Sequence, residues 1–259
     1  MKCLVINGSP SKSYTWNNIL TGSFTGKLAK EVQDTMSQLG KVDFEEIRLI
    51  DAGLPYCRGC YNCFFKGENS CPHAKYVQPI MEKIREADCV ILTSPVYALN
   101  VSGLIKNFFD LTAYNYHRPA FFDKKALVIS STAGGAAKKI CKYMRDTLKH
   151  WGFNRVYTLP VVRMGAYELD EKLKRRCRAA AVKFYKDVAS GKLHSPTFKR
   201  LLYYQLWRNL SKGNAGSADY RYWQDSGLVH HAFSPKIRIG FIKRAFAGMI
   251  NGLLKKVSK

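Results

Sequence analysis

The sequence predicts an α/β protein with a doubly wound, five-stranded parallel sheet, to which a basic, mostly helical C-terminal extension is attached. Short apolar, β-rich runs alternate with longer segments in which apolar residues recur every three or four positions, as in strands joined by crossover helices. The 259 residues, 46% of them hydrophobic, are enough for a full core. After Gly191 the alternation stops, and aromatic and basic residues dominate.

Five strands and five helices are expected in strict alternation over the first 190 residues. Right-handed crossovers then leave few topologies, and we expect the sheet order 2-1-3-4-5. Each strand is expected to be buried on both faces. The strands are predicted at 2–7, 42–49, 88–94, 125–131 and 155–162. The first helix is expected to carry Leu20, Phe24, Leu28, Val32, Met36 and Leu39 on one face, and the others lie near 75–87, 102–115, 134–151 and 168–190.

The change in pattern divides the chain into residues 1–191 and residues 192–259. The second part holds 13 basic and 2 acidic side chains, a balance of +11 within the chain's total of +23. From Lys236 to Val257 the spacing predicts a basic amphipathic helix. Such a helix can dock on the body or on a second subunit, contact a membrane surface, bind nucleic acid or cover a ligand site as a lid. We do not expect nucleic acid, because the sequence has no recognised binding motif.

The compartment is expected to be the cytoplasm, with the inner face of the membrane as a site of peripheral contact. The apolar run that begins at Cys3 is too short for a secretory signal, and no run reaches the ~18 apolar residues of a membrane span. The eight cysteines would be reduced there, so the four between residues 57 and 71 suggest metal or redox chemistry. The remaining four, Cys3, Cys89, Cys141 and Cys177, are expected in the core.

Three polar loops are predicted at the carboxyl ends of strands one, three and four. The first, Gly8–Thr15, is followed by a helix, so its hydroxyls and amides suit a phosphate monoester. It lacks the glycines of a dinucleotide fingerprint and the Gly-Lys-Ser/Thr of a P-loop. An ordinary helix cap at Ser13 or Thr15 would explain the same residues without a ligand. The second and third loops, 93–101 and 131–135, converge with the first beside the switch point of this sheet order, where a ligand is expected.

A combination of motifs in these loops resembles the flavodoxin-like NAD(P)H-dependent FMN reductases over roughly residues 1–190. The motifs are Gly8-Ser9-Pro10 followed by Ser13 and Thr15, then Ser94-Pro95-Val96-Tyr97, then Leu104-Ile105-Lys106-Asn107-Phe108-Phe109-Asp110. The sequence departs from many members at Ser11 and at Leu111, where an arginine is common. These departures concern phosphate pairing and subunit contact rather than the fold.

The resemblance implies a flavodoxin-like fold that binds FMN, uses NAD(P)H as cosubstrate and reduces a flavin, a quinone or another small acceptor. It also implies a homo-oligomer. No catalytic side chain is expected, because the flavin carries the chemistry. By the same resemblance the FMN phosphate is held by Ser9, Ser11, Ser13, Tyr14 and Thr15, and the ring is bordered by Pro95, Val96, Tyr97, Asn100, Thr132, Gly134 and Gly135.

The clustered cysteines follow the pattern Cys57-x2-Cys60-x2-Cys63-x7-Cys71-Pro72, in a long loop after the second strand. Three cysteines at this spacing can bind an iron-sulfur cubane and a fourth can complete it. The motif resembles that of the iron-sulfur flavoproteins, in which a [4Fe-4S] cluster lies near the FMN, but Cys57-Arg58-Gly59-Cys60 also fits related reductases without a cluster. The same cysteines could also bind zinc or remain inert thiols.

Two further functional classes follow from these features. An iron-sulfur flavoprotein would act as an electron carrier between ferredoxin and an acceptor. A flavin-free protein would use the basic tail to bind a membrane or nucleic acid.

Overall fold

The computed structural model describes residues 1–11, 14–16, 19–21, 23–164 and 168–257, with the backbone alone described for 14–16, 19–21 and 255–257. Five parallel strands form the central sheet in the order β4-β1-β5-β6-β7, which confirms the predicted order 2-1-3-4-5. Their bounds are β1 Lys2–Asn7, β4 Asp43–Arg48, β5 Cys89–Pro95, β6 Lys125–Thr132 and β7 Arg155–Val162. Two short antiparallel strands, β2 Tyr14–Trp16 and β3 Ile19–Thr21, form a separate hairpin.

Helices cover both faces of the sheet. One apolar layer includes residues of α3, α4 and α5, and the opposite layer includes residues of α1 and α6. Cys3, Cys89, Cys141 and Cys177 are buried in these layers, as predicted. The helices of the first 190 residues are α1 Phe24–Leu39, α2 Asn62–Phe65, α3 Ala74–Glu86, α4 Gly103–Leu111, α5 Ala137–His150 and α6 Glu171–Ala189.

Three of the sequence predictions were wrong in this part of the chain. The β2–β3 hairpin and α2 interrupt the strict alternation, the first helix begins later than expected, and the edge strands β4 and β7 are not buried on both faces. Helix α1 begins at Phe24 and is capped by the Ser23 hydroxyl, which accepts a hydrogen bond from the Gly26 amide at 3.0 Å. Leu20 therefore lies in β3, and the cap is not Thr15; Ser13 lies outside the described residues. Strand β4 is mostly exposed, because it forms the edge of the sheet and carries three acidic residues.

The C-terminal extension, residues 192–257, adds α7 Phe198–Leu210, α8 Ala218–Asp225 and α9 Phe241–Val257. It forms a third apolar cluster around Trp223, Tyr204 and Phe233, and Phe122 of the body belongs to the same cluster. Trp223 is fully buried and its Nε1 donates to the His117 carbonyl at 3.0 Å, so it joins the extension to the body. Among the described residues, no helix has the length and apolarity required to cross a bilayer.

Candidate active site

The loop after β1 is fixed to the neighbouring strand at Gly8. The Gly8 amide donates to the Thr93 carbonyl at 3.0 Å, and its own carbonyl accepts from the Ser102 hydroxyl at 2.6 Å. A Cβ at this position would lie 2.7 Å from the Thr93 oxygen and would overlap Ile105. Only glycine allows the chain to pass this close to β5 and α4. The loop therefore leaves the sheet in one defined direction.

Asn7, which belongs to none of the sequence motifs, shapes the residues that follow. Its Oδ1 accepts from the Ser9 amide at 2.9 Å and from the Thr93 hydroxyl at 3.3 Å, while its Nδ2 donates to Glu46. Ser9 is buried, and its hydroxyl accepts from the Ser11 amide at 3.4 Å. Asparagine is common in turns, so its presence at the end of a strand indicates little by itself. The hydrogen bonds of Asn7 to Thr93 and Glu46 show that it also links β1 to its neighbouring strands.

The rest of the predicted phosphate loop is only partly within the described residues. Ser13 lies outside them, and Tyr14 and Thr15 are described as backbone of β2. The loop is therefore followed by the β2–β3 hairpin rather than directly by a helix. The N-terminus of α1 still lies at this edge of the sheet, because the Thr25 hydroxyl is 2.6 Å from that of Ser131.

The loop after β5 turns sharply between Tyr97 and Asn100. Their backbones exchange two hydrogen bonds of 3.0 and 2.9 Å, and the two residues between them, Ala98 and Leu99, have φ values of 46° and 59°. Two central residues with positive φ are typical of a type I′ turn. Tyr97 and Leu99 are exposed, and the amides of Ala98 and Leu99 donate to no acceptor in the described part of the chain. The turn offers backbone donors and apolar side chains to a ligand.

The loop after β6 is open. The Thr132 hydroxyl accepts from the Gly134 amide at 3.1 Å, which orders the start of the loop. Gly134 and Gly135 have no atom within 4 Å of the place where a Cβ would stand. The Val96 amide donates to the Ser131 carbonyl at 2.9 Å and joins this loop to the preceding one. A planar group can approach the backbone here without meeting a side chain.

Together these three loops form one rim at the carboxyl edge of the sheet. The hydrogen bonds from Gly8 to Thr93, from Ser102 to Gly8 and from Val96 to Ser131 fix them relative to one another. Hydroxyls and amides lie at the first loop, while exposed apolar side chains, amides and open glycines lie at the second and third. This donor set fits a ligand with a phosphate at one end and a flat ring at the other, as FMN has.

The comparisons with known proteins agree with this geometry. The model of the NADPH-dependent FMN reductase family matches residues 1–164. The chain belongs to this family. It is accordingly an FMN-dependent oxidoreductase with a flavodoxin-like fold.

One relative and two solved structures illustrate the similarity. An iron-sulfur flavoprotein of Archaeoglobus fulgidus is 29% identical over 235 residues, which are 88% of this chain and 100% of the relative. The NAD(P)H:(acceptor) oxidoreductase FerB of Paracoccus denitrificans superposes with a TM-score of 0.51 at 19% identity, covering 74% of this chain and 99% of the other. An FMN-dependent NADH-azoreductase of Bacillus anthracis, solved with FMN, gives 0.50 at 16% identity and covers 73% and 98%. The two structures support the fold alone.

The four clustered cysteines line one cavity of about 300 Å³ beside α2 and the end of α4. Cys57 and Cys60 are exposed, and Cys63 and Cys71 are half-buried. Burial, followed by the nearby Cys71, raises the pKa of Cys63 to about 11, which the Arg118 guanidinium partly opposes. The Cys63 thiol is therefore protonated at neutral pH.

Among the described residues, no three His, Cys, Asp or Glu side chains are placed to hold a single metal ion. This geometry gives no support to zinc. In a four-iron cluster each thiolate binds a different iron, so the four sulfurs must surround a space rather than meet at one point. The four cysteines lie on the wall of one cavity, and a [4Fe-4S] cluster there stays a prediction from the sequence. The buried His73, whose Nε2 has no partner among the described residues, lines the same cavity.

Two polar residues outside the cysteine motif hold its loop in place. Asn107 accepts from the Cys57 amide at 3.0 Å and donates to the Pro55 carbonyl at 3.0 Å. Arg118, which is buried, donates to the Cys63 carbonyl and forms ion pairs with Glu68 at 2.7 Å and Asp219 at 3.1 Å. The first contact comes from α4 and the last partner from α8, so both the body and the C-terminal extension fix the cysteine loop.

Helix α4 connects the rim and the cysteine cavity. Its cap, Ser102, holds the first loop of the rim, and its later residues Asp110 and Leu111 line the cavity. The rise from one to the other is about 12–14 Å along the helix axis. The two candidate sites are therefore neighbours on a rigid element.

Proposed function

We propose that this protein passes electrons from NADH or NADPH through FMN to a small acceptor such as a free flavin or a quinone. The observation that carries the proposal is the rim of three loops, fixed by hydrogen bonds at the carboxyl edge of the sheet. Ligands of doubly wound sheets bind at this edge, beside the switch point between β1 and β5. The membership of the FMN reductase family supports the same function.

The proposed roles of the residues follow from their places on the rim. FMN, when bound, supplies the hydride and single-electron chemistry. The first loop holds the phosphate, and the amides of the turn at Ala98 and Leu99 stabilise negative charge on the ring edge. Tyr97 excludes water from one side of the flavin ring. Because Tyr97 is itself exposed, a second copy of the chain could cover the ring from outside, so a homo-oligomer is part of the proposal. The full sets are Ser9, Ser11, Ser13, Tyr14 and Thr15 for the phosphate, and Pro95, Val96, Tyr97, Asn100, Thr132, Gly134 and Gly135 for the ring.

An anaerobic absorption spectrum of the purified protein, before and after NADH and then NADPH, tests this proposal. We expect flavin bands that one of the two nucleotides bleaches. Gly134→Leu places a side chain on the open loop and should weaken FMN binding at least tenfold, whereas Gly213→Leu, at an equally open glycine in the extension, should not change it. A colourless protein that takes up no added FMN would contradict the proposal.

The cysteine cavity favours a second candidate, an electron carrier in which Cys57, Cys60, Cys63 and Cys71 hold a [4Fe-4S] cluster. The common cavity, the nearby rim and the similarity to an iron-sulfur flavoprotein support it. The cluster would exchange single electrons with the flavin, and ferredoxin would be the external partner. Iron and sulfide analysis of anaerobically purified protein should give four of each per chain. Cys60→Ser should lower both, and the core variant Cys141→Ala should not.

The exposed face of α9 favours peripheral contact with an anionic membrane as a further part of the function. Phe241 and Ile242 are 82% and 73% exposed, and Met249 and Leu253 continue the same face. The face around the buried Ala247 packs on α7, and Phe246 lies at the border between the two faces, with its ring centroid 5.1 Å from that of Phe198. An apolar face in a segment with a balance of +11 is what an interfacial helix needs.

Flotation with vesicles of phosphatidylglycerol and phosphatidylcholine tests the membrane contact. The protein should float with anionic vesicles and not with pure phosphatidylcholine. Phe241→Asp should abolish flotation, and Met164→Asp, at a side chain that is equally exposed elsewhere, should leave it intact. If light scattering shows instead that Phe241→Asp dissociates an oligomer and vesicles are never bound, the face is a contact between copies.

A further inference from the structure

A second cavity, of about 200 Å³, lies at the opposite end of α5 from the rim. It is an open pocket lined by α5, by Pro119 and Phe122, and by α7 of the extension. Helix α5 begins at Ala137, next to the open glycine loop, and ends at His150, about 20 Å further along its axis. The cavity is therefore separate from the flavin rim, and it exists because the extension packs on the body.

The lining of this cavity is strongly cationic. Five of its described side chains are lysines or arginines and one is a carboxylate, Asp146. Lys142 and Arg145 already pair with Asp146, each at 3.1 Å. Lys149, Lys199 and Arg200 have no carboxylate partner among the described residues. A ligand with a negative charge would provide the missing counter-charge.

Arg200 is held rigidly at the cavity wall. Its two terminal nitrogens donate to the carbonyls of Gly152 and Asn154, both at 2.9 Å. Burial lowers its pKa to about 10, which leaves the guanidinium charged at neutral pH. Burial, and then the charge of Arg145, also lowers the pKa of Lys149. These cations are close enough to repel one another, so an anion between them would be stabilised.

The remaining walls are aromatic. Tyr203, Tyr204, Trp207 and Phe233 supply flat apolar surfaces, and the Lys199 ammonium lies 5.8 Å from the centre of the Tyr203 ring. The Trp207 Nε1 is buried and donates to no acceptor among the described residues. An apolar cavity of about 150 Å³ is large enough for benzene, so this one suits a compound of one or two rings.

We propose that this cavity is a binding site for a small aromatic anion, a one- or two-ring compound with a single carboxylate or phosphate. The rings lie among the aromatic side chains, and the anionic group lies between Lys149, Lys199 and Arg200. The site is independent of the flavin chemistry, because no residue of the rim lines it.

Calorimetric titration of the full-length protein, with its FMN bound, tests the site with 1-naphthoate as the probe and 1-naphthalenemethanol as its uncharged counterpart. We expect one 1-naphthoate per chain and at least tenfold weaker binding of the alcohol. The double variant Lys149→Gln/Lys199→Gln should weaken 1-naphthoate binding at least tenfold. Lys186→Gln, at an exposed lysine on α6, should leave it unchanged.

Two results would overturn the proposal. One is equal binding of 1-naphthoate by the double variant and by Lys186→Gln. The second is a change in the flavin absorbance that saturates together with the calorimetric signal and persists unchanged in the double variant, because the probe would then occupy the flavin rim. Circular dichroism of each variant checks that it is folded. Arg200→Lys retains the positive charge but loses the two hydrogen bonds to the carbonyls of Gly152 and Asn154, so we expect it to bind 1-naphthoate with intermediate affinity.

Discussion

Gly8 gives the most direct prediction for a single residue. Gly8→Ala puts a Cβ 2.7 Å from the Thr93 carbonyl oxygen and into the Ile105 side chain, so the first loop must move away from β5. We expect a loss of about 1–3 kcal/mol in the free energy of unfolding, measured with urea, and weaker FMN binding. Gly103→Ala, where no atom lies within 4 Å of the new Cβ, is the matched control and should cost nothing measurable. Equal free energies of unfolding for the two variants would show that the first loop can move away from β5 at no measurable cost.

Arg118 is the residue on which the cysteine loop depends most. Arg118→Met removes the partner of Glu68 and Asp219 and leaves two carboxylates without their counter-charge. We expect a loss of roughly 3 kcal/mol, at the lower end for a buried ion pair because the Glu68 side chain is 29% exposed. Amide hydrogen exchange over residues 61–70 should become faster. Arg238→Gln, on the exposed surface of the extension, is the control. If amide exchange over residues 61–70 is unchanged in Arg118→Met, Asn107 alone holds the cysteine loop.

At the scale of the elements, Asp187 joins α6 to the sheet and to the start of the extension. Its carboxylate accepts hydrogen bonds from Tyr157 at 2.9 Å and from His194 at 2.7 Å, and it pairs with the buried Lys125 at 3.2 Å. Burial alone would raise the pKa of Asp187, but these three partners outweigh it and hold the pKa below its usual value. The stabilisation is therefore present above pH ~4 and is lost as the pH falls through the lowered value.

Asp187→Asn should accordingly lower the free energy of unfolding by about 3 kcal/mol at pH 7. The difference from the natural chain should shrink as the pH falls below ~4, because the unfolded chain is protonated there while the folded carboxylate is still ionised, and it is lost below the lowered pKa. Urea unfolding at pH 7 and at pH 3 measures both values. Asp34→Asn, which breaks an exposed pair with Lys30 on α1, should change stability by less than about 1 kcal/mol at either pH. A difference for Asp187→Asn that does not depend on pH would assign the effect to packing.

The elements that the sequence predicted well are those with strong periodicity. The bounds of all five sheet strands were predicted within one residue. For β1, β5 and β6 this is because buried parallel strands are near-continuous apolar runs. The β2–β3 hairpin was missed because Leu20 also fits the helical period of α1. Polar residues with remote partners were missed for a different reason: Arg118 meets Glu68 and Asp219, which are far from it in sequence, and no local pattern records such contacts.

At the scale of the whole molecule, the C-terminal extension shapes two sites that also involve residues of the body. It closes the cavity beside α5, and through Asp219 it helps to fix the cysteine loop. The composition indicated a separate basic segment, but which side of the body it covers depends on contacts such as those of Phe122 and Arg200, which only the structure reveals. The division of the chain at residue 191 stays a prediction.

The net charge of +23 leads to a last prediction about rate. A cationic protein attracts anionic molecules over distances that salt shortens, from a screening length of about 30 Å at 0.01 M to about 8 Å at 0.15 M. On the proposed function, kcat/KM for NADPH should therefore fall as salt rises, and more steeply than for NADH, because NADPH carries an additional phosphate. The value of kcat at saturating nucleotide should change little, since steering affects encounter and not the later steps.

The electron acceptor provides the matched control for this effect. With nucleotide saturating and the acceptor well below saturation, the rate with the anionic acceptor ferricyanide should fall with salt, and the rate with neutral benzoquinone should not. A similar fall for both acceptors would indicate that salt weakens the protein or its FMN binding rather than the encounter. If kcat/KM for NADPH falls with salt no more steeply than kcat/KM for NADH, the 2′-phosphate meets no net positive field on its path to the rim. The basic residues would then act elsewhere, at the face of α9 and in the cavity beside α5.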